Sequence, residues 1–361
     1  MRSLALWSAI SAAVISASEI KTAPDDIQVP APWTVSQCIK EYCNFANPTI
    51  GDGLVLISTP GNIDILNSFS ALTKTNSEPP PFEVREIPGK GIGLIANRTI
   101  HRGEILMQYT PTLIVQFGPH IDLPASDREA FYQDAVNQLP TSRREAFMAQ
   151  YGEDIYTKID RNAFRMFING QNPYSGHLGA FPEVSRLNHD CRPNLNSRIE
   201  NITHTTTAVR PISAGEELTI SYIDGLLSRR SRQERLSDWG FNCTCSQCSL
   251  PPSESATSDA RIQAIKDLEE ELDKAVGGGD LTTEMGERLV RLYKEERLET
   301  YIGHAYTKAA LIYAMFGVEE KAKEYAALAA DAMAMELGES AGDVVAMREL
   351  AERPGSHWAW E

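Results

Sequence analysis

Three thiols packed as Cys243-Thr244-Cys245-Ser246-Gln247-Cys248 constrain this chain more than any other feature. Disulfides among residues this close are strained. Zinc, by contrast, takes four ligands in a tetrahedral array and favours thiolates. Of the three other cysteines, Cys38 and Cys43 sit alone near the N-terminus, which makes Cys191 the natural fourth ligand. The expected set is Cys191, Cys243, Cys245 and Cys248 around one structural zinc ion, with free or oxidised thiols as the competing state.

Two further segments precede this tail. The run Gly89-Lys90-Gly91-Ile92-Gly93-Leu94 is a glycine turn between strand-like stretches. It lacks the strand-then-helix setting of a dinucleotide site, so that reading is rejected. The loop Asn188-His189-Asp190-Cys191-Arg192-Pro193-Asn194 gathers two amides, an imidazole and a thiol before a proline-fixed turn. Strand alternation is expected at Phe82–Ile87, Gly93–Ala96, Ile105–Tyr109, Ser197–Val209 and Glu217–Tyr222. Between them, Asp127–Leu139 carries helical spacing, Pro140 stops it, and Ser142 with Glu145 suggests a capping box for a second helix.

Taken in order, the glycine turn, the Asn-His-x-Cys-x-Pro-Asn loop, the Glu-Glu-Leu-x-Ile-x-Tyr strand and the cysteine tail resemble a SET domain with its post-SET zinc site. The closest flavour is the SET-and-MYND group and its fungal-type relatives, and the resemblance covers Phe82 to Cys248. It implies an S-adenosylmethionine-dependent protein-lysine N-methyltransferase acting on a lysine-containing protein, histone or otherwise. The cofactor is then expected at the backbone of Lys90, Gly91 and Ile92, with Asn162, Asn188 and His189 hydrogen-bonding it and Phe241 on the adenine. Tyr222 is the expected catalytic residue and also borders the cofactor; a packed strand tyrosine is the plainer alternative. Asn162 is expected to open a helix or strand, where it also reads as a cap.

Two departures stand out. No cysteine lies between Cys43 and Cys191, so a MYND finger has no ligands there. Trp239 stands where relatives often have Tyr, which bears on the lysine channel and the degree of methylation. A SET-fold binding module without catalysis is the alternative function.

The expected fold is α+β: a β-rich SET domain with a helical insertion, then an all-α, tetratricopeptide-like region, for which an ordinary bundle is the rival. Boundaries are expected at 1–18 (signal peptide), 19–80 (N-terminal segment and linker), 81–225 (SET), 226–250 (post-SET) and 258–350 (helical). Ser77 to Pro81 and Pro251 to Ser255 read as linkers, so the part before Pro251 is expected to fold without the helices. In that tail Ala305–Phe316 and Val318–Leu337 read as two helices hinged at Gly317, with Ala305, Ala309, Ala322, Ala326 and Ala329 at their contact.

Arg2, the apolar run Leu4–Ile15 and small residues Ser16-Ala17-Ser18 have the layout of a secretory signal peptide, too short for a membrane span. An amphipathic helix or a misplaced start are the alternatives. Against secretion, the glycosylation-type triplet Asn242-Cys243-Thr244 lies inside the cysteine cluster, which favours nucleus or cytoplasm. Cys38 and Cys43 are a disulfide in one compartment and thiols in the other. A net charge of −15 argues against direct nucleic-acid binding and suits a basic peptide partner. No membrane partner is expected, and the protein is expected to be a monomer.

Overall fold

A computed structural model describes residues 21–22, 27–69, 79–168, 176–275 and 281–360. The signal-peptide reading of residues 1–18 lies outside them. In chain order the elements begin with β1 (Lys21–Thr22), β2 (Thr34–Ile39), β3 (Tyr42–Asn47), β4 (Leu54–Ser58), α1 (Gly61–Ser68), β5 (Phe82–Ile87), β6 (Gly91–Ala96) and β7 (Ile105–Tyr109). Next come β8 (Leu113–Gln116), α2 (Phe117–Asp122), α3 (Ala125–Asn137), α4 (Thr141–Met148), α5 (Ile155–Asn162), β9 (Phe164–Phe167) and β10 (Gly176–Ala180). The remainder holds β11 (Asn188–His189), β12 (Leu195–Glu200), β13 (Thr203–Ala208), β14 (Glu217–Ile220), α6 (Arg229–Leu236), α7 (Pro252–Ala275), α8 (Thr283–Glu295), α9 (Ile302–Met315), α10 (Glu319–Leu337) and α11 (Gly342–Glu352). The chain is therefore α+β, β-rich first and helical afterwards. Among the described residues no helix is long and apolar enough to cross a membrane.

Two compact units form, one from the residues before 72 with Pro111–Ala180, the other from Leu72–Thr110 with Phe181 onward. The first holds a seven-stranded sheet in the order β1-β2-β3-β4-β8-β10-β9. Its central β4 is buried at every residue, as a continuous Leu-Val-Leu-Ile run requires. Phe131, Tyr132, Val136, Phe147 and Ile159 from α3, α4 and α5 share a core with Ile57 and Val115 of the sheet. Cys38 and Cys43 face each other across β2 and β3 and form a disulfide. The expected Ser142–Glu145 capping box is absent, because α4 already begins at Thr141 and puts Ser142 inside its first turn. The box belongs to α5, where Asp154 accepts from the Thr157 amide and Thr157 answers to the Asp154 amide.

The second unit holds two small sheets, β11-β14-β6-β5 and β12-β13-β7. Strand β14 sits between β6, antiparallel, and β11, parallel, with Asn188 beside Thr219 and His189 beside Ile220. This pairing carries the Asn-His loop to the glycine-turn strand. Behind it, Ala305, Ala309, Ala322, Ala326 and Ala329 are fully buried between α9 and α10, and Gly317 turns the chain with φ 63°. Small side chains let the two helix axes approach closely.

The expected linker at Pro251 is instead the start of α7, a 24-residue helix whose first residue is Pro252. Proline suits that position, since the amide it lacks has no helical partner there. The helices also share buried polar contacts with the loop and the tail. Arg192, from the Asn-His loop, is 3% exposed and donates through Nη2 to Glu296 Oε2 at 3.0 Å, itself 1% exposed. Arg261 reaches Glu296 Oε1 at 2.6 Å, while Ser258 and Gln247 donate to Oε2 at 2.8 and 3.3 Å. One buried carboxylate thus ties the loop, the cysteine tail and helices α7 and α8 together.

Candidate active site and cysteine cluster

Gly89 and Gly91 have φ of 75° and 76°, which a side chain would strain, and they reverse β5 into β6. Gly93 serves a different need: a Cβ there would sit 2.3 Å from Ile87 Cδ1 and 2.7 Å from Asn188 Nδ2. The bare strand lets Asn188 approach. That amide donates to Glu217 Oε1 at 3.0 Å, and Lys90 Nζ pairs with Glu217 Oε2 at 2.6 Å. Glu217 therefore orients two residues expected at the cofactor, and it was not anticipated. One Nδ2 hydrogen is committed to Glu217, which leaves Oδ1 and the second Nδ2 hydrogen for a ligand. Ile92 is 47% exposed beside this turn.

His189 is turned inward. The Tyr222 amide donates to its Nδ1 at 3.0 Å, so the ring proton sits on Nε2, 3.3 Å from Cys191 Sγ. Burial lowers its pKa to about 4, keeping the ring neutral. The imidazole thus orients a cysteine, the role of an outer partner at a metal site. Tyr222 donates its hydroxyl to the Leu187 carbonyl at 2.7 Å, and burial raises its pKa. Its ring lies 5.4 Å from His189 and 5.7 Å from Trp239, and Phe241 is 6.4 Å from His189. Asn162 belongs to the other unit and closes α5 rather than opening an element. Its amide donates to the carbonyls of Tyr151 and Lys158, both at 2.7 Å.

Cys191, Cys243, Cys245 and Cys248 are all buried, with every sulfur within 4.8 Å of the others and Cys191 to Cys248 at 3.5 Å. Zinc–sulfur bonds of about 2.3 Å make the edge of a tetrahedron about 3.8 Å, so the donors fit such an ion. Gln233 on α6 clamps the tail, donating to the Cys243 carbonyl at 2.8 Å and accepting its amide at 3.0 Å. Neighbouring thiols lower Cys245 to about 5 and also depress Cys248, while Cys191 and Cys243 are raised. A second observation favours a metal. Arg232 is 1% exposed beside Cys248, and its buried Nε has no hydrogen-bond partner among the described residues. An anionic cluster gives that cation its counter-charge.

The family model described as SET domain matches residues 91–223, the stretch that holds Gly91, Asn188, Cys191 and Tyr222. The chain carries a SET domain. Phe241 and the other three cysteines lie just past the matched SET residues. Histone-lysine N-methyltransferase set5 of Schizosaccharomyces pombe is 31% identical over 196 residues, 52% of this chain and 54% of that protein. Histone-lysine N-methyltransferase SMYD3 of Mus musculus is 34% identical over 143 residues, 39% and 31% of the two chains. N-lysine methyltransferase SMYD2-A of Danio rerio is 36% identical over 127 residues, 34% and 28%. The match spans about half the length of the first relative and under a third of the other two.

Proposed function

We propose that this protein is an S-adenosylmethionine-dependent protein-lysine N-methyltransferase whose cofactor loop is braced by a structural zinc ion. The observation that carries the reading is that the loop bearing Asn188 and Cys191 meets Tyr222 and the tail thiols Cys243, Cys245 and Cys248 in one buried cluster. When bound, S-adenosylmethionine supplies the methyl group and the sulfur leaving group. The residues that would hold it are the backbone of Lys90, Gly91 and Ile92, the Asn188 amide, the backbone of His189, and Phe241. Zinc would be held by Cys191, Cys243, Cys245 and Cys248.

The chain's own part is positioning and desolvation. An amine acceptor must be neutral, although free lysine titrates at about 10.4. Burial beside a positive charge disfavours its protonated form. Because the Tyr222 proton is committed to Leu187, the phenol oxygen is left as an acceptor for an amine N–H or a polarised methyl hydrogen. Trp239, packed on Tyr222, forms one wall of that environment. The net charge of −15 suits a lysine-rich protein substrate.

The test is incubation of the full chain with methyl-labelled S-adenosylmethionine and a lysine-rich protein mixture, with label located by peptide mass spectrometry. Label on lysine is the expected result. Tyr222→Phe should transfer about a hundredfold more slowly while binding S-adenosylhomocysteine normally. A wild-type protein that binds the cofactor and labels no lysine would overturn the reading. Gly93→Ala should weaken S-adenosylhomocysteine about tenfold by calorimetry, because the new methyl would crowd both the Ile87 side chain and the Asn188 amide. Unchanged affinity would remove Asn188 from the cofactor site.

A further inference from the structure

Two arginines in this unit are buried almost completely, and they are balanced in different ways. Arg192 faces the Glu296 carboxylate at 3.0 Å. Arg232, on α6, makes no ion pair with a carboxylate among the described residues. Its Nη1 donates to the Leu227 carbonyl at 2.6 Å, and its Nε has no partner there. Asp259, whose Oδ1 accepts the Arg229 amide at 2.8 Å, adds a weaker electrostatic influence without pairing to Arg232. The Arg232 helix packs on the cluster through Leu236 and Gln233, and the sulfurs of Cys191 and then Cys248 are the nearest opposing influences on the guanidinium. A buried cation without counter-charge is strongly disfavoured, and the thiols, which act on Arg232 more strongly than Asp259 does, are its main source.

We infer that Arg232 is the outer counter-cation of the zinc–thiolate cluster, retaining the metal and blunting the reactivity of the Cys248 thiolate. This rests on the zinc assignment made above. Four thiolates and one divalent zinc sum to two negative charges, and Arg232 offsets part of that excess from outside the coordination sphere. The arrangement has opposite consequences with and without metal. Zinc-loaded, Arg232 is matched and stabilising. Metal-free, no ion holds the four sulfurs as thiolates, and Arg232 keeps only the weaker influence of Asp259. The metal and the arginine therefore depend on each other, which an ordinary packing role does not produce.

The experiment compares full-length wild type, Arg232→Met and Arg232→Lys. Zinc affinity is read by chelator competition, zinc release by a colorimetric reporter after N-ethylmaleimide, and melting temperature with and without zinc. Arg232→Met should bind zinc roughly 10- to 100-fold more weakly and release it faster, as loss of an outer-sphere partner does. Its metal-free form should melt no lower than metal-free wild type. Arg232→Lys should stay near wild type in affinity and release. Unchanged zinc retention in Arg232→Met overturns the inference, and so does equal loss of melting temperature with and without metal. If Arg232→Met does not fold, Arg232→Lys decides: wild-type release supports a charge role, and fast release rejects it. Wild type purified without zinc from zinc-supplemented medium overturns both this inference and the zinc assignment; zinc-bearing wild type with an unaffected Arg232→Met overturns this inference alone.

Discussion

Glu296→Ala is expected to cost about 3–5 kcal/mol of folding stability, enough to unfold much of a marginally stable chain at room temperature. The carboxylate is 1% exposed and accepts from Arg192, Arg261, Ser258 and Gln247. Removing it leaves the Arg192 guanidinium, 3% exposed, without its counter-charge inside the protein. Arg192 also donates to the carbonyls of Cys191 and Gly225, so the damage falls on the loop that carries Asn188 and His189. Glu296→Gln keeps the shape and one acceptor and should cost less. Cutting the chain after Pro251 removes the same carboxylate together with the helices packed behind it, and the remaining piece should aggregate. Urea unfolding followed by tryptophan fluorescence measures the first effect, and size-exclusion chromatography the second. A loss under about 1 kcal/mol, or a soluble truncated chain that binds S-adenosylhomocysteine, would mean that the helices are an accessory.

Which parts of this arrangement could be read from residue order follows from what order encodes. Alternation and glycine turns report local faces, and Phe82–Ile87 and Ile105–Tyr109 emerged with the expected bounds. The cysteine cluster was legible because three of its four members are close in sequence and the fourth is the cysteine left once the N-terminal pair Cys38 and Cys43 is set aside. The N-terminal strands were not. Strand β3 buries Asn44 completely, its amide donating to the Phe131 carbonyl and Asp134, so a core position reads as polar. Pro251-Pro252-Ser253 was ambiguous in kind, since prolines mark both a linker and a helix start. Glu217, Arg232 and Glu296 left no local trace. Glu217 meets Lys90 across 127 residues and Glu296 meets Arg192 across 104, and no periodicity records which buried charge finds which partner.

Cys191→Ser is expected to lower zinc content and cofactor affinity together, the second large effect. Structural zinc sites bind with roughly 10–16 kcal/mol at neutral pH, so losing one of four thiolates removes about 3 kcal/mol, or a hundredfold in zinc affinity. A serine hydroxyl stays protonated and is a poor replacement ligand. Cys191 lies two residues after His189, whose Nε2–H faces its sulfur at 3.3 Å, so the loop loses a brace as the metal leaves. On the other side of the cluster, Phe241 precedes Cys243 by two residues and follows Gly240, a left-handed turn with φ 82°. With the tail unpinned, that turn lets Phe241 leave its place near His189, and any stacking it gives the cofactor goes with it. Metal analysis of purified wild type and variant, paired with calorimetric titration of S-adenosylhomocysteine, reads both halves. Chelated wild type should behave like the variant, and zinc should restore wild type alone. Tight cofactor binding by a zinc-free wild type would break the link between tail and site, as would a Cys191–Cys245 disulfide found by peptide mapping.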